Sequence, residues 1–185
     1  MAETAVVLAC EELEPAVGSW RRRYTTAGAR GMPAHVTLLY PFADTGKVEL
    51  LVARLGDVVA RFPPLELVFA RTAYFDGAES TLYLVPDPAA PAAALANAVA
   101  AAFPEYPPYG GAHDEVVPHL TDEVVPHLTV AQGRRELLAE IEAAVGRSLP
   151  LRCRVSRVSL YRDGDRGWEC ARTFSLHGDG SGSVQ

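Results

Sequence analysis

The sequence predicts an α+β fold with two pseudo-symmetric lobes, each an antiparallel sheet with flanking helices, arranged around a central cleft. A short apolar strand that contains His-x-Thr occurs once in each half of the chain, at His35–Thr37 and at His127–Thr129. Each motif is followed by apolar residues at helical spacing and then by the pattern of a hairpin. Because this order is repeated, the two motifs are expected to face one shared cleft.

The elements of the first half are predicted from hydrophobic periodicity and from turn residues. The helix after the first strand begins near Pro15, since proline is tolerated in a first helical turn. Pro63-Pro64 ends the second helix. The predicted elements are a strand at 4–10, a helix from about residue 15 to 26, the motif strand ending at Pro41, a helix at 48–62 and a hairpin with strands at 65–75 and 81–85.

The second half repeats this order. The predicted elements are a helix at 91–103, an irregular loop at 104–111, the second motif strand, a helix at 134–145, one strand with a possible bulge at 151–161, a turn at 163–167 and a closing strand at 168–176. The Gly/Ser-rich segment 178–185 is predicted to be a disordered tail. Residues 1–177 are therefore expected to form a single bilobal domain.

An octapeptide is duplicated in tandem directly before the second motif strand. Residues 114–121 and 122–129 have identical sequences, so two histidines compete for one structural position. The second copy continues into Val130-Ala131, which extends an apolar strand, whereas the first continues into Asp122-Glu123. Burying those two charges would cost several kcal/mol unless they were paired.

We therefore place His127 and Thr129 on the strand and assign His119 and Thr121 to an enlarged loop. The extra length of such a loop adds little closure entropy. The alternative register, with His119 in the cleft, stays open on sequence grounds alone.

Composition limits the classes of partner. Of the 185 residues, 49% are hydrophobic and 22% are charged, which is ordinary for a globular protein. The net charge of −6 argues against extended duplex nucleic acid bound to a broad basic surface. The three cysteines follow no metal-ligand spacing and indicate reduced thiols, so we expect a cytoplasmic protein. No apolar run reaches the ~20 residues of a membrane span, and no membrane partner is expected.

The motif residues suit acid–base chemistry on a phosphate. In a strand, residues i and i+2 share a face, so His35 projects with Thr37 and His127 with Thr129. Histidine titrates near neutrality, and two imidazoles can therefore hold complementary protonation states. The alternative is that these are polar residues on the solvent face of half-buried strands.

The chain resembles the two-histidine (2H) phosphoesterase superfamily, in particular its 2′-5′ RNA ligase-like and cyclic phosphodiesterase branch. The resemblance rests on His35-Val36-Thr37-Leu38 and His127-Leu128-Thr129-Val130, on the surrounding stretch 32–42 and on Pro126. It implies a bilobal fold and metal-free, cofactor-free hydrolysis of a 2′,3′-cyclic phosphate or a 2′-5′ phosphodiester. It also implies that His35, Thr37, His127 and Thr129 are catalytic.

Substrate-side candidates carry weaker signals. Tyr161 and Arg162 end a predicted strand and could reach a phosphate or ribose, with a surface salt bridge as the alternative. Tyr40 could stack on a base, with core packing as the alternative. For Arg23 and Arg30, a solvated helix face is favoured over the cleft.

The expected partner is a small nucleotide or an RNA terminus, bound by a monomer. Two other functions are compatible with the pattern. One is a module that binds a nucleotide or RNA end without turnover, although such a binder need not keep both histidines. The other is 2′-5′ RNA end-joining, which the acidic net charge makes less favourable for long RNA.

Overall fold

A computed structural model of the chain describes residues 3–107 and 125–178. Alternating apolar residues form the strands, and apolar residues at helical spacing form the helices. The strands are β1 (Thr4–Ala9), β2 (His35–Leu39), β3 (Leu65–Phe75), β4 (Ser80–Asp87), β5 (Leu128–Gly133), β6 (Leu151–Val155), β7 (Arg157–Gly164) and β8 (Gly167–Ser175). The helices are α1 (Glu14–Tyr24), α2 (Thr26–Ala29), α3 (Val48–Val59), α4 (Ala90–Ala102) and α5 (Arg135–Gly146), and a 3-10 helix covers Glu11–Leu13.

The described strands form two four-stranded antiparallel sheets. Sheet A has the order β2-β1-β7-β8, and sheet B has the order β5-β4-β3-β6. In each sheet the His-x-Thr strand lies at one edge and pairs with a single neighbour. The predicted α+β fold with one motif in each of two antiparallel sheets is confirmed.

The two halves of the sequence exchange their hairpins. The first-half hairpin, β3–β4, pairs with the second motif strand, β5, in sheet B. The second-half hairpin, β7–β8, pairs with β1, which in turn pairs with the first motif strand, β2. Each sheet is therefore built from both halves of the chain, which ties the two motifs into one structure.

The prediction of one bulged strand at 151–161 is wrong. The segment forms two strands in different sheets: β6 pairs with β3 in sheet B, and β7 pairs with β1 in sheet A. Ser156 separates them and accepts a backbone hydrogen bond from Leu176 through its carbonyl oxygen. The interruption in the apolar alternation near Ser156 is thus a crossing between sheets rather than a bulge.

One continuous hydrophobic core lies between the helices and one face of each sheet. Helices α3 and α4 pack on sheet A, whereas α1 and α5 pack on sheet B. A smaller apolar cluster of Ala5, Val7, Met32 and Tyr161 lies on the other face of sheet A. The helices therefore cover one face of each sheet, and the motif side chains project from the other.

Three predictions extend beyond the described residues. They are the loop at 104–111 past residue 107, the first octapeptide copy with His119 and Thr121, and the tail after Gly178. No helix in the described part of the chain is long and apolar enough to cross a membrane.

Candidate active site

The two motif strands show the alternation that the sequence predicts. His35 begins β2, where Val36 and Leu38 are buried in the main core while His35 and Thr37 are half-buried. The second motif follows the same rule: Leu128 and Val130 are buried, whereas His127 and Thr129 are half-buried. The apolar residues thus anchor each strand to the core and leave the imidazole and hydroxyl on the opposite face.

The two motifs lie close together in space. Strands β2 and β5 contact each other, although they belong to different sheets. His127 is near enough to His35 for its charge to lower the pKa of His35. The structure therefore brings His35 and His127 into one site, with Thr37 and Thr129 on the same strands.

Both imidazoles are oriented by a hydrogen bond to the backbone carbonyl two residues earlier in the chain. Nδ1 of His35 lies 2.7 Å from the carbonyl oxygen of Pro33, and Nδ1 of His127 lies 2.8 Å from that of Val125. A carbonyl oxygen only accepts, so we assign the hydrogen to Nδ1 in both rings. Nε2 is then the atom with a free lone pair, and it makes no hydrogen bond to residues 3–107 or 125–178 in either ring.

The environment keeps both histidines neutral. Burial and the neighbouring Arg21 cation lower the pKa of His35 from 6.5 to about 3. Burial also lowers the pKa of His127, with the hydrogen bond to Val125 opposing the shift. The electrostatic surroundings of the two histidines therefore differ, since Arg21 lowers the pKa of His35 but is not among the causes that shift the pKa of His127.

Arg21 reaches both motifs from α1. Its guanidinium donates to the carbonyl oxygen of Thr129 and, over 3.1 Å, to that of Pro33. Its Nη2 also lies 3.3 Å from Nδ1 of His35. Since both nitrogens point hydrogens at the Pro33 oxygen, they share this acceptor rather than bonding to each other.

Aromatic side chains of sheet B surround His127. Tyr83 is the register partner of Thr129, and Phe75 stacks on Tyr83 with ring centroids 4.1 Å apart. Both rings meet the His127 imidazole edge-to-face, at 4.9 Å for Phe75 and 5.4 Å for Tyr83. The exposed Arg71 is near enough to lower the pKa of Tyr83, although burial raises that pKa overall.

On sheet A, the corresponding face carries Tyr161 and Tyr40. Tyr161 is buried in the small cluster, and burial raises its pKa to about 12. Tyr40 is half-buried against Trp168 and donates its hydroxyl to Glu3. Ser159 is also on this face, because Val7 pairs with Thr37 on one side and with Ser159 on the other.

The arginines singled out from the sequence make surface contacts. Arg162 is exposed and lies 3.6 Å from the carboxylate of Glu169. Arg30 pairs with Asp163 at 2.6 Å, and Arg23 is exposed with its guanidinium over the Tyr24 ring. The structure thus brings Tyr161 and Tyr40 to the motif-bearing face of sheet A and ties Arg162 into an ion pair.

Sequence reasoning missed Arg21, Phe75 and Tyr83. For Arg21 a signal existed: Leu13, Val17 and Arg21 are spaced by four, so the first arginine of the Arg21–Arg23 run occupies the buried stripe of α1. For the aromatic pair none existed, because the pairing of β4 with β5 spans a long stretch of chain.

Among residues 3–107 and 125–178, no three His, Cys, Asp or Glu side chains group closely enough to hold a metal ion.

The second copy of the octapeptide leads directly into β5. As expected, the strand continues from Leu128 through Val130 and Ala131. His119 and Thr121 lie outside the described residues.

A family model described as the 2′-5′ RNA ligase superfamily matches residues 10–167. No curated protein matches the chain. Among solved structures, Escherichia coli LigT complexed with 3′-AMP is 14% identical, with a TM-score of 0.59 over 94% of this chain and 97% of that one. The complex of the same protein with NADP+ gives 15% identity and 0.59, covering 94% and 96%. TT0787 of Thermus thermophilus gives 19% identity and 0.60, covering 96% and 98%. These likenesses show a shared fold.

Proposed function

The chain belongs to the 2′-5′ RNA ligase superfamily, and we propose that it is a metal-independent phosphoesterase of nucleotides or RNA ends. It would open a 2′,3′-cyclic phosphate or cleave a 2′-5′ phosphodiester. The observation that carries this proposal is the pair of imidazoles at the starts of β2 and β5, two strands of different sheets that contact each other. Each is held at Nδ1 by a backbone carbonyl, which leaves Nε2 free.

Two such imidazoles supply the proton transfers that the reaction needs. One neutral Nε2 takes a proton from water as the water oxygen forms a bond to phosphorus. The other imidazole, protonated, gives its Nε2 proton to the ribose oxygen as the phosphorus–oxygen bond breaks. Each of these groups contributes typically 10²- to 10⁴-fold to the rate.

We assign His35 as the base and His127 as the acid. Arg21 disfavours a proton on His35, and His127 has no such cation acting on it among the described residues. A bound phosphate anion raises both pKa values toward neutrality, because it favours the charged imidazolium. The arginine stays on the His35 side and continues to disfavour a proton there.

The threonines and the aromatic residues are proposed to bind the substrate. Thr37 and Thr129 would donate their hydroxyls to the non-bridging oxygens and stabilise the charge that develops there. Phe75 and Tyr83 offer a ring surface beside His127 on which a nucleobase can stack. Tyr40, Tyr161 and Arg162 remain proposed contacts from sheet A.

A small nucleotide or an RNA terminus is the proposed substrate class. The fold relative LigT has been crystallised with 3′-AMP and with NADP+, both of which are nucleotides. The net charge of −6 favours a short ligand held in a local site over long RNA. We further propose that the protein is a monomer. We also propose a cytoplasmic location, with which the free thiols of Cys10, Cys153 and Cys170 are consistent.

A substrate panel tests the proposal. Purified protein is incubated with 2′,3′-cyclic nucleotides and 2′-5′ dinucleotides in excess chelator, and the products are separated by chromatography. We expect turnover of at least one class, unchanged by the chelator. Activity lost with the chelator and restored by a divalent ion would contradict a metal-free reaction. Tight nucleotide binding without turnover would instead favour a binding module.

A further inference from the structure

We propose that Arg21 is a positioning residue that fixes the two motif strands relative to each other and so sets the spacing of the two imidazoles. The proposal rests on the proposed function, because it assigns Arg21 a part in that reaction. Arg21 belongs to neither motif and comes from α1, which packs against β5.

The geometry of the guanidinium is that of a bridge. One terminal nitrogen donates to the carbonyl oxygen of Thr129, within the second motif. The other donates over 3.1 Å to the carbonyl oxygen of Pro33, two residues before His35. A planar guanidinium presents its donors in a rigid fork, so it holds these two oxygens at a set separation.

The second of these acceptors is shared with the catalytic imidazole. The Pro33 oxygen also accepts the Nδ1 hydrogen of His35, at 2.7 Å. A shift of Arg21 would therefore move the atom that orients His35. Glu14, at the start of α1, secures the same segment by accepting the N–H of Ala34 at 2.6 Å.

Arg21 is itself held in place. Its side chain is 2% exposed, and its own carbonyl oxygen accepts both the N–H and the hydroxyl of Thr25 at 2.9 Å. A Cβ added to Gly28 would lie 2.5 Å from that oxygen, so only a glycine at this position lets α2 pack so closely against Arg21. These contacts fix the backbone of Arg21, from which the bridging side chain extends.

Burying this cation costs free energy, and an apolar side chain that only filled the same space would not have that cost. Arg21 forms no ion pair within the described residues, and its Nε has no hydrogen-bond partner there. Its pKa is lowered by burial to about 10, so it stays charged at neutral pH. Glu14, whose charge favours that of Arg21, is already engaged by Ala34 and Arg22.

The same cation acts on the protonation of His35. The charged or titratable groups that bear on this imidazole are Arg21 of α1 and His127 ahead of β5, both of which favour its neutral form. On β1 the residue opposite His35 is Ala9, which carries no charge. Bridging and charge are separable roles, and two substitutions distinguish them.

Arg21→Lys keeps the charge but replaces the fork by one ammonium, whereas Arg21→Met removes both. Arg23→Met is the matched control, because Arg23 lies on the exposed side of the same helix. We expect Arg21→Lys to lower kcat by roughly 10- to 100-fold while KM changes by less than about 3-fold, because small misplacements of reacting groups act on the chemical step. Arg23→Met should keep the wild-type kcat and KM.

Imidazole titration by NMR gives a readout that does not need activity. We expect the pKa of His35 to rise in Arg21→Met and to stay low in Arg21→Lys, with the signal assigned from His35→Ala. If the wild-type protein has no phosphoesterase activity, the proposed function fails, and this titration still shows whether the Arg21 cation acts on His35.

Two results would overturn the inference. They are a folded Arg21→Lys variant with wild-type kcat, and loss of folding by circular dichroism in Arg21→Lys while Arg23→Met stays folded, which would make Arg21 a stability residue only. A His35 titration unchanged in Arg21→Met would contradict the effect of the Arg21 charge on His35.

Discussion

His35 donates its Nδ1 hydrogen to the carbonyl oxygen of Pro33 across 2.7 Å, and this bond determines which nitrogen can do chemistry. His127 and Val125 form the same arrangement at 2.8 Å. The second ring nitrogen is thus free as a base in the neutral form and as an acid in the protonated form. Each motif carries its own orienting carbonyl two residues before the histidine.

Replacing either histidine should abolish most of the activity. We expect His35→Ala and His127→Ala each to lower kcat by about 10²-fold or more, since each removes one proton-transfer group. Steady-state kinetics on a 2′,3′-cyclic nucleotide measure the effect. The double variant should lose little more than either single variant, because the two groups act in one step.

His177 provides the control for these variants. It is exposed and follows β8, so His177→Ala should keep the wild-type kcat. A His35→Ala variant that turns over at the wild-type rate would rule out the assignment of His35.

Acidification should destabilise the protein through the same histidines. Burial lowers the pKa of both, and for His35 the value falls from 6.5 to about 3. Between these two pH values the unfolded chain binds a proton at His35 and the folded chain does not, so the free energy of unfolding falls as the pH drops below 6.5. Above pH 6.5, the ordinary histidine pKa, His35 is neutral in both states and causes no such loss.

Chemical denaturation at about pH 7 and about pH 5.5 measures this loss. Carboxylates titrate mainly below that window, so the histidines dominate it. His35→Gln should show a smaller loss of unfolding free energy between the two pH values than the wild-type protein. An equal loss in both proteins would show that His35 titrates normally in the folded state.

Local patterns account for the parts of this fold that the sequence predicts. The burial of Val36 and Leu38 behind His35 and Thr37 follows from the period of two in a strand, which is a property of adjacent residues. Pro15 lies in the first turn of α1, and the hairpins occur where turn residues separate alternating runs. These features need no knowledge of the partner strands.

Pairings between distant segments were not predictable in the same way. The residues of 151–161 contain no local signal that Leu151 pairs with Phe69 while Tyr161 pairs with Ala5 in another sheet. The aromatic wall around His127, formed by Phe75 and Tyr83, has the same origin, since Tyr83 meets Thr129 only through the β4–β5 ladder. Arg21 is an intermediate case, since helical spacing indicates its burial but not the two carbonyl oxygens that it binds.

The tandem octapeptide yields a prediction about which copy is used. We expect His119→Ala to keep activity within a few-fold, while His127→Ala abolishes it, because β5 continues from His127 into the core. Deleting residues 114–121 should preserve the fold, since it shortens a connection and leaves β5 intact. Kinetics and thermal unfolding of the three variants measure these effects.

The competing register makes the opposite prediction. With His119 in the cleft, His119→Ala would be inactive and His127→Ala active. The deletion is informative in either case, because it leaves a single His-x-Thr motif before Val130. An unfolded deletion variant would show that the first copy carries structure the rest of the fold needs.

The aromatic wall of sheet B should determine nucleotide affinity. Phe75 is half-buried, stacks on Tyr83 and contacts His127 edge-to-face, so a nucleobase that stacks on Phe75 would lie near the reacting phosphate. Stacking on an aromatic side chain is worth roughly 1–3 kcal/mol per base, which corresponds to an increase in KM of about 5- to 150-fold in Phe75→Ala. Because Phe75 transfers no proton, kcat should change much less than KM.

Phe75→Leu and Phe62→Ala separate stacking from general loss of packing. Leucine keeps apolar volume but has no ring, so Phe75→Leu should raise KM nearly as much as Phe75→Ala. Phe62 follows α3 and packs against the main core, so Phe62→Ala should lower thermal stability without changing KM. A substrate that lacks a base, such as a ribose cyclic phosphate, should be turned over with the same KM by Phe75→Ala and the wild-type protein. Equal KM values for the complete nucleotide would place the base elsewhere, for example on Tyr40 and Trp168 beside sheet A.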